Sequence, residues 1–159
     1  MSPTRIPSPC IGLCSTTYGD PVCRGCQRFH NEIIQWNQYK PEHKTLVWQR
    51  IECITETVLA RTLRIQDPAK LEEFLIKQQI RYVKTASANH WVLSLLKALS
   101  QSRQLSEHNA STFLQQHCGI RCFTSANTPL KRLWNDIKNQ LLVLSEAQYE
   151  LQNRSLQKI

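Results

Sequence analysis

The sequence predicts a mainly α-helical protein, in which a loop-rich N-terminal tetracysteine metal knuckle is followed by a bundle of about four to six helices. Four of the seven cysteines lie between residues 8 and 27. From Glu32 onward, apolar residues recur at the three- and four-residue steps of amphipathic helices. Four glycines and seven prolines in 159 residues are few for a chain of short strands and turns, while a hydrophobic share of 41% can build a core. The expected organisation is a metal-binding module with its bracing helix over residues 1–52. A helical domain ending in a long C-terminal helix is expected over 53–159.

Before residue 29 no periodicity is present, and Pro3, Pro7, Pro9, Gly12, Gly19, Pro21 and Gly25 punctuate the chain as loop. Ile33, Ile34 and Trp36 then predict a short amphipathic helix that begins near Glu32 and ends before Pro41. Pro41 suits a first helical turn, and Val47, Ile51, Ile54, Val58 and Ile65 predict one long helix over 41–65, with Thr62 interrupting the stripe. Asp67 as N-cap and Pro68 behind it start another helix, with Leu71, Phe74, Leu75 and Tyr82 on its apolar side.

Val92, Leu95, Leu96 and Leu99 form a further buried stripe. Residues 100–111 read as a polar loop leading to a short helix with Phe113 and Leu114. Thr128 as cap and Pro129 in the first turn open a last helix of about 25 residues. Its Leu130, Trp134, Ile137, Leu141, Leu144 and Leu151 fall on heptad spacing, with Gln148 breaking one position. An edge helix packed on its own domain is expected rather than a coiled-coil dimer, since only three heptads are present. The oligomeric state is left open.

The N-terminus lacks the apolar run of a secretory signal, so a cytoplasmic location is expected. The most apolar window, 91–99, is far short of a membrane span and contains Lys97, so no membrane is expected. An odd cysteine count without an export signal argues against a disulfide framework. The net charge of +8 is spread along the chain: residues 1–52 carry six basic and four acidic side chains, 53–107 eight and five, and 108–159 six and three. Such a surface attracts polyanions without a patch that sequence can locate.

Cys10 and Cys14 are separated by three residues, Cys23 and Cys26 by two, and eight residues join the pairs. Each pair can turn two sulfurs toward one point, and four thiolates can surround one metal centre. Gly12 and Gly25 lie inside the two turns, where a wrapping backbone needs unusual dihedrals and close approach of N–H to sulfur. Metal binding would also order a proline-rich segment with little core of its own, by on the order of 10 kcal/mol for structural zinc. A redox-active CRGC dithiol, disulfides and unrelated free thiols are the competing readings. Arg24 and Arg28 would lower a neighbouring thiol pKa, but no βαβ pattern surrounds the pair. His30 is a candidate substitute ligand, read more simply as an exposed residue at a helix start.

The motifs SPCIGLC, CRGCQR and EIIQW, followed by Lys44 and Arg50, resemble the bacterial family known as domain of unknown function 1289. The resemblance spans about residues 8–52 and includes Cys10, Cys14, Cys23, Cys26, Arg28, Glu32, Ile33 and Trp36. It implies a small tetracysteine metal module of predicted iron-sulfur type without established enzymatic activity. One position departs from the pattern: Phe29 stands where a Thr or Ser would complete a capping box with Glu32, so Asn31 or the backbone is expected to serve there. Phe29 and Trp36, seven residues apart, are read as ordinary core aromatics, with packing on one side of the knuckle as the competing reading. Zinc and an iron-sulfur cluster both accept four cysteines, and spacing leaves the choice open.

Cys53 reads as a buried or half-buried thiol beside a helix stripe. His117, Cys118 and Cys122 could form half of a second metal site but are read as helix-end packing groups, with Gly119 as C-cap. His43 and His90 are read as helix-surface or capping residues. No nucleophile triad, phosphate loop, metalloprotease motif or paired carboxylate array appears, so no catalytic residue is assigned. The expected function is a non-enzymatic metal-binding protein that meets an unidentified protein partner. Nucleic-acid (RNA) binding through Arg24, Arg28, Lys40, Lys44 and Arg50 is the first alternative, and electron transfer or iron-sulfur sensing the second.

Overall fold

The structure, a computed structural model, describes residues 5–158. Among the described residues a short 3-10 turn, Thr16–Tyr18, precedes six helices and two three-residue strands. The helices are α1 (His30–Ile34), α2 (Pro41–Leu59), α3 (Pro68–Lys77), α4 (Ala88–Gln101), α5 (Ala110–Cys118) and α6 (Leu130–Leu156). The strands are β1 (Leu63–Ile65) and β2 (Ile120–Cys122). Among the described residues no helix is long and apolar enough to cross a membrane.

The chain divides into two compact units, residues 1–54 with 140–159 and residues 55–139, so the boundaries fall inside α2 and α6. In the first unit, Trp36, Val47 and Ile51 form a buried cluster with Tyr39 and Trp48 packed against it. The Trp48 indole N–H donates to the Pro7 carbonyl at 2.9 Å, which fixes the proline-rich start of the chain to α2. Phe29 meets Tyr149 edge to face, with ring centroids 5.1 Å apart.

In the second unit, β1 and β2 pair antiparallel with Leu63 opposite Cys122, Arg64 opposite Arg121 and Ile65 opposite Ile120. The expected 41–65 helix therefore ends at Leu59, and Ile65 meets its apolar partner in a strand instead of on a helical stripe. Three-residue strands gain their stability from the partner strand, which lies far along the chain and leaves no local periodicity. Gly119 caps α5 as expected, with φ 64°, and its carbonyl accepts the N–H groups of Gln66 and Asp67.

Other elements depart from the periodicity in smaller ways. α3 stops at Lys77, so Tyr82 lies beyond it and donates its hydroxyl back to Glu72 at 2.7 Å. α6 begins at Leu130, and the Thr128 hydroxyl donates to the Ser125 carbonyl instead of capping the helix. The apolar side of α6 is buried through Leu141, but Leu144 and Leu151 are exposed and Ser145 is buried in their stead. A 3.6-residue helix rotates away from a strict heptad seam, which carries the buried face from Leu141 to Ser145. Ile34, expected on the inner side of α1, is exposed. His90, expected at the surface, is buried on α4, and Cys53, expected to be at least half-buried, is exposed.

Candidate metal centre

All seven cysteines are free of disulfides. The two cysteine-bearing loops lie directly against each other. Gly25 sits so close to the first loop that a Cβ there would stand 2.3 Å from the Leu13 carbonyl oxygen. The Cys23 thiol lies 3.2 Å from that same oxygen, and the Arg24 N–H donates to the Ser15 hydroxyl at 2.9 Å. Gly12 has φ 82° and donates its N–H to the Cys10 sulfur at 3.3 Å. Gly12 thus supplies a left-handed turn and Gly25 a close approach.

The second pair is the better organised. Cys23 is buried, and a hydrogen bond from the Cys26 thiol lowers its pKa to about 5, more than offsetting its burial. Backbone N–H groups of Cys26, Ser15 and Gly25 lower it further, and all favour the thiolate over the thiol. The Leu13 carbonyl, which can only accept, is the one neighbour that favours a proton on this sulfur, and the donors outnumber it. Cys26 is the proton holder of the pair: its hydrogen bond to Cys23 and its burial push its pKa up, against the Arg28 guanidinium. The two sulfurs thus titrate as a coupled dithiol that loses its first proton from Cys23.

Around this pair stands a layer of charged and aromatic groups. Arg28 is buried, donates its Nε–H to the Cys26 sulfur at 3.3 Å, and lies with its guanidinium carbon 4.9 Å from the Trp36 ring centroid. Lys44 brings its ammonium to 5.7 Å from the same ring. Arg50 donates Nη1–H to the Gln27 carbonyl at 3.1 Å, pairs with Glu32, and stands 3.8 Å over the Phe29 ring centroid. Arg24 is exposed and pairs with Asp20 at 3.0 Å, and Lys40 is exposed. The five basic residues therefore do not act alike: Arg28 and Arg50 are turned inward, while Arg24 and Lys40 face solvent. Ile33 is half-buried on α1, and Glu32 accepts the Phe29 N–H at 2.8 Å. That bond is half a capping box; Phe29 has no side-chain acceptor for the other half, and its ring is buried instead.

Gln27 was not foreshadowed by any sequence signal. It sits at φ 59°, almost fully buried, with its amide N–H donating to the Gly25 carbonyl at 2.8 Å and its backbone N–H to the Cys23 carbonyl at 2.9 Å. A glutamine in the left-handed region leaves no local mark in composition or periodicity.

Cys23 and Cys26 are brought together, and their thiolate, N–H donors and guanidinium suit a bound cation or cluster at that corner. Among the described residues no three His, Cys, Asp or Glu side chains are gathered so as to hold a metal ion. Cys10 is half-buried and Cys14 is exposed, 3.3 Å from the Thr16 hydroxyl. His30 is exposed. In the second unit, Cys118 and Cys122 are buried and their pKa values are pushed up by burial, to about 12 and about 11. They behave as packing groups.

No curated protein and no solved structure is found to match the chain. The family model described as Protein of unknown function (DUF1289) does match, over residues 8–54, which hold the four clustered cysteines, Arg28, Glu32, Trp36 and Arg50. The resemblance read from the motifs thus holds for this segment, which carries the sequence of that family.

Proposed function

We propose that residues 8–54 form a non-enzymatic metal-binding module, with Cys10, Cys14, Cys23 and Cys26 as ligands of a single iron-sulfur cluster or Zn²⁺, and that the module meets a protein partner. The observation that carries this reading is the environment of Cys23: three backbone N–H groups and a neighbouring thiol stabilise a buried thiolate, the form in which sulfur binds metal. The contact of Gly25 with Leu13 supports it further, because it holds the first cysteine loop beside the second. A cluster would supply one-electron chemistry and zinc would supply folding energy alone; either way Arg28 and the backbone N–H groups orient sulfur and offset its charge. The 3-10 turn between the cysteine pairs exposes Tyr18 at 89%, which offers an aromatic contact to a partner.

Anaerobic purification, elemental analysis and a visible spectrum test the reading. One metal centre per chain is expected, with visible absorption that dithionite bleaches if iron and sulfide are present, and zinc without colour otherwise. Cys23→Ser is expected to abolish metal retention and open residues 8–30 to proteolysis while the helices remain. Metal-free protein after anaerobic reconstitution, or unchanged protection of that segment in the variant, overturns it.

A further inference from the structure

A second site lies in residues 55–139, independent of the cysteines. α3, α5 and the segment before α5 line an open hollow of about 600 Å³, within the range of small-molecule sites. Its floor is made of rings. Phe113 lies 4.6 Å from His117 and 6.0 Å from Phe74, measured between centroids, and Phe74 lies 6.3 Å from His117. Phe113 is nearly buried and fixes the group, whereas the His117 imidazole is exposed and the Phe74 ring is half-exposed, so both leave ring surface available for stacking.

The rim is polar and cationic. Lys70, Phe74 and Lys77 lie at i, i+4 and i+7 on α3, which sets the two lysine Cα atoms about 10 Å apart along the helix axis with a ring-bearing position between them. Glu73 is also on the rim, and among the described residues neither lysine forms an ion pair with it. The amide groups of Gln78, Gln104 and Gln116 complete the wall, offering both donors and acceptors.

We propose that this hollow binds a free nucleoside monophosphate. The base would stack on His117 and Phe74, the glutamine amides would meet its polar edge, and an ammonium group of Lys70 or Lys77 would take the phosphate. Two lysines against one glutamate leave the rim a single net positive charge, which suits one phosphate better than a polyphosphate.

Proton NMR of the full chain tests this, with adenosine monophosphate, adenosine and inorganic phosphate as probes. Saturable shifts at the His117 and Phe113 ring protons are expected with the monophosphate, and binding weaker by about tenfold or more for each fragment alone. Lys70 and Lys77 are exposed, so K70Q/K77Q leaves the fold intact; it is expected to weaken the monophosphate by about tenfold and leave adenosine unchanged. H117A is expected to weaken both. No shift at millimolar monophosphate, equal binding of adenosine, or indifference to K70Q/K77Q overturns the proposal. A single-stranded oligoadenylate that binds the same rings about tenfold more tightly than the monophosphate also overturns it, in favour of a nucleic-acid strand.

Discussion

Arg50 on α2 reaches back to Glu32 on α1, and the same carboxylate oxygen that meets its guanidinium also accepts the Phe29 N–H that starts α1. One acidic side chain therefore caps the helix that follows the second cysteine pair and ties it to α2. Both partners are largely buried, and that burial raises the Glu32 pKa and lowers that of Arg50, opposing the attraction between them. The pair is a device for placement more than a source of net stability.

Breaking one side of it is accordingly expected to cost nearly as much as removing both. Glu32→Gln, which keeps an acceptor for Phe29 but leaves a buried guanidinium without its counter-charge, is expected to lower stability by about 3 kcal/mol. Arg50→Met is expected to cost a similar amount. The double variant should lose clearly less than the two together, by urea denaturation. Strict additivity would show that the two charges do not depend on each other.

Gly25→Ala probes the contact between the cysteine loops. The added methyl would meet the Leu13 carbonyl at 2.3 Å, and that oxygen belongs to backbone that also receives the Cys23 thiol. Separation of the loops is expected, with a loss of about 2 kcal/mol and faster proteolysis between residues 8 and 28. Gly12→Ala adds a side chain at φ 82° and should act by strain in the first loop alone. Equal protection of wild type and Gly25→Ala would show that the loops do not depend on this approach.

How much of this was legible in the sequence depends on the range of each signal. The cysteine pairs and their glycines are local patterns, and Gly119 caps α5 as its position implies, whereas the approach of Gly25 to the Leu13 backbone joins two loops that no local pattern relates. Glu32 and Arg50 can each be singled out from the motifs, but their union is a tertiary fact. The strand pair was invisible, because Leu63–Ile65 and Ile120–Cys122 are each three residues long and complete each other across the whole of α3, α4 and α5. The N-terminal stretch read as coreless, yet Val22, Cys23, Cys26 and Phe29 are buried and Trp48 holds Pro7. Those anchors come from α1, α2 and α6, beyond the reach of any local window.

The Cys23 pKa carries a pH dependence whose sign is fixed. In reduced, chelator-treated protein its folded value is about 5, against 9.0 for an ordinary thiol. Between those values the unfolded chain holds a proton that the folded chain does not, so this group's contribution is fully present above pH 9.0 and is lost as pH falls through about 5. Stability should therefore rise with pH across that window and do so less steeply in Cys23→Ser. Thiolate ultraviolet absorbance should report one ionised sulfur near neutrality, lost on acidification in wild type and absent in the variant. A titration of that absorbance centred near 9.0 would contradict the hydrogen-bonded thiolate.

Cys118 and Cys122 bear on the second unit in the opposite sense. Burial lifts them to about 12 and about 11, so they stay protonated in the fold at any pH where an unfolded thiol has begun to ionise. Their contribution is fully present below pH 9.0 and is lost as pH rises through 11 to 12, which predicts alkaline destabilisation of residues 55–139 over that window. At neutral pH the same protonation and burial withhold both sulfurs from alkylating agents. Mass spectrometry after a short iodoacetamide pulse should find exposed Cys53 labelled first and Cys118 and Cys122 unlabelled until denaturant opens the unit. Replacing both by Ser would put hydroxyls where thiols are buried, and a loss of about 1–3 kcal/mol per site is expected. Rapid native labelling of Cys118 would mean that α5 and β2 part from the core far below the global unfolding free energy, since Cys118 ends α5 and Gly119 turns into β2 so close to Asp67 that a Cβ there would stand 2.7 Å from the Asp67 Cβ.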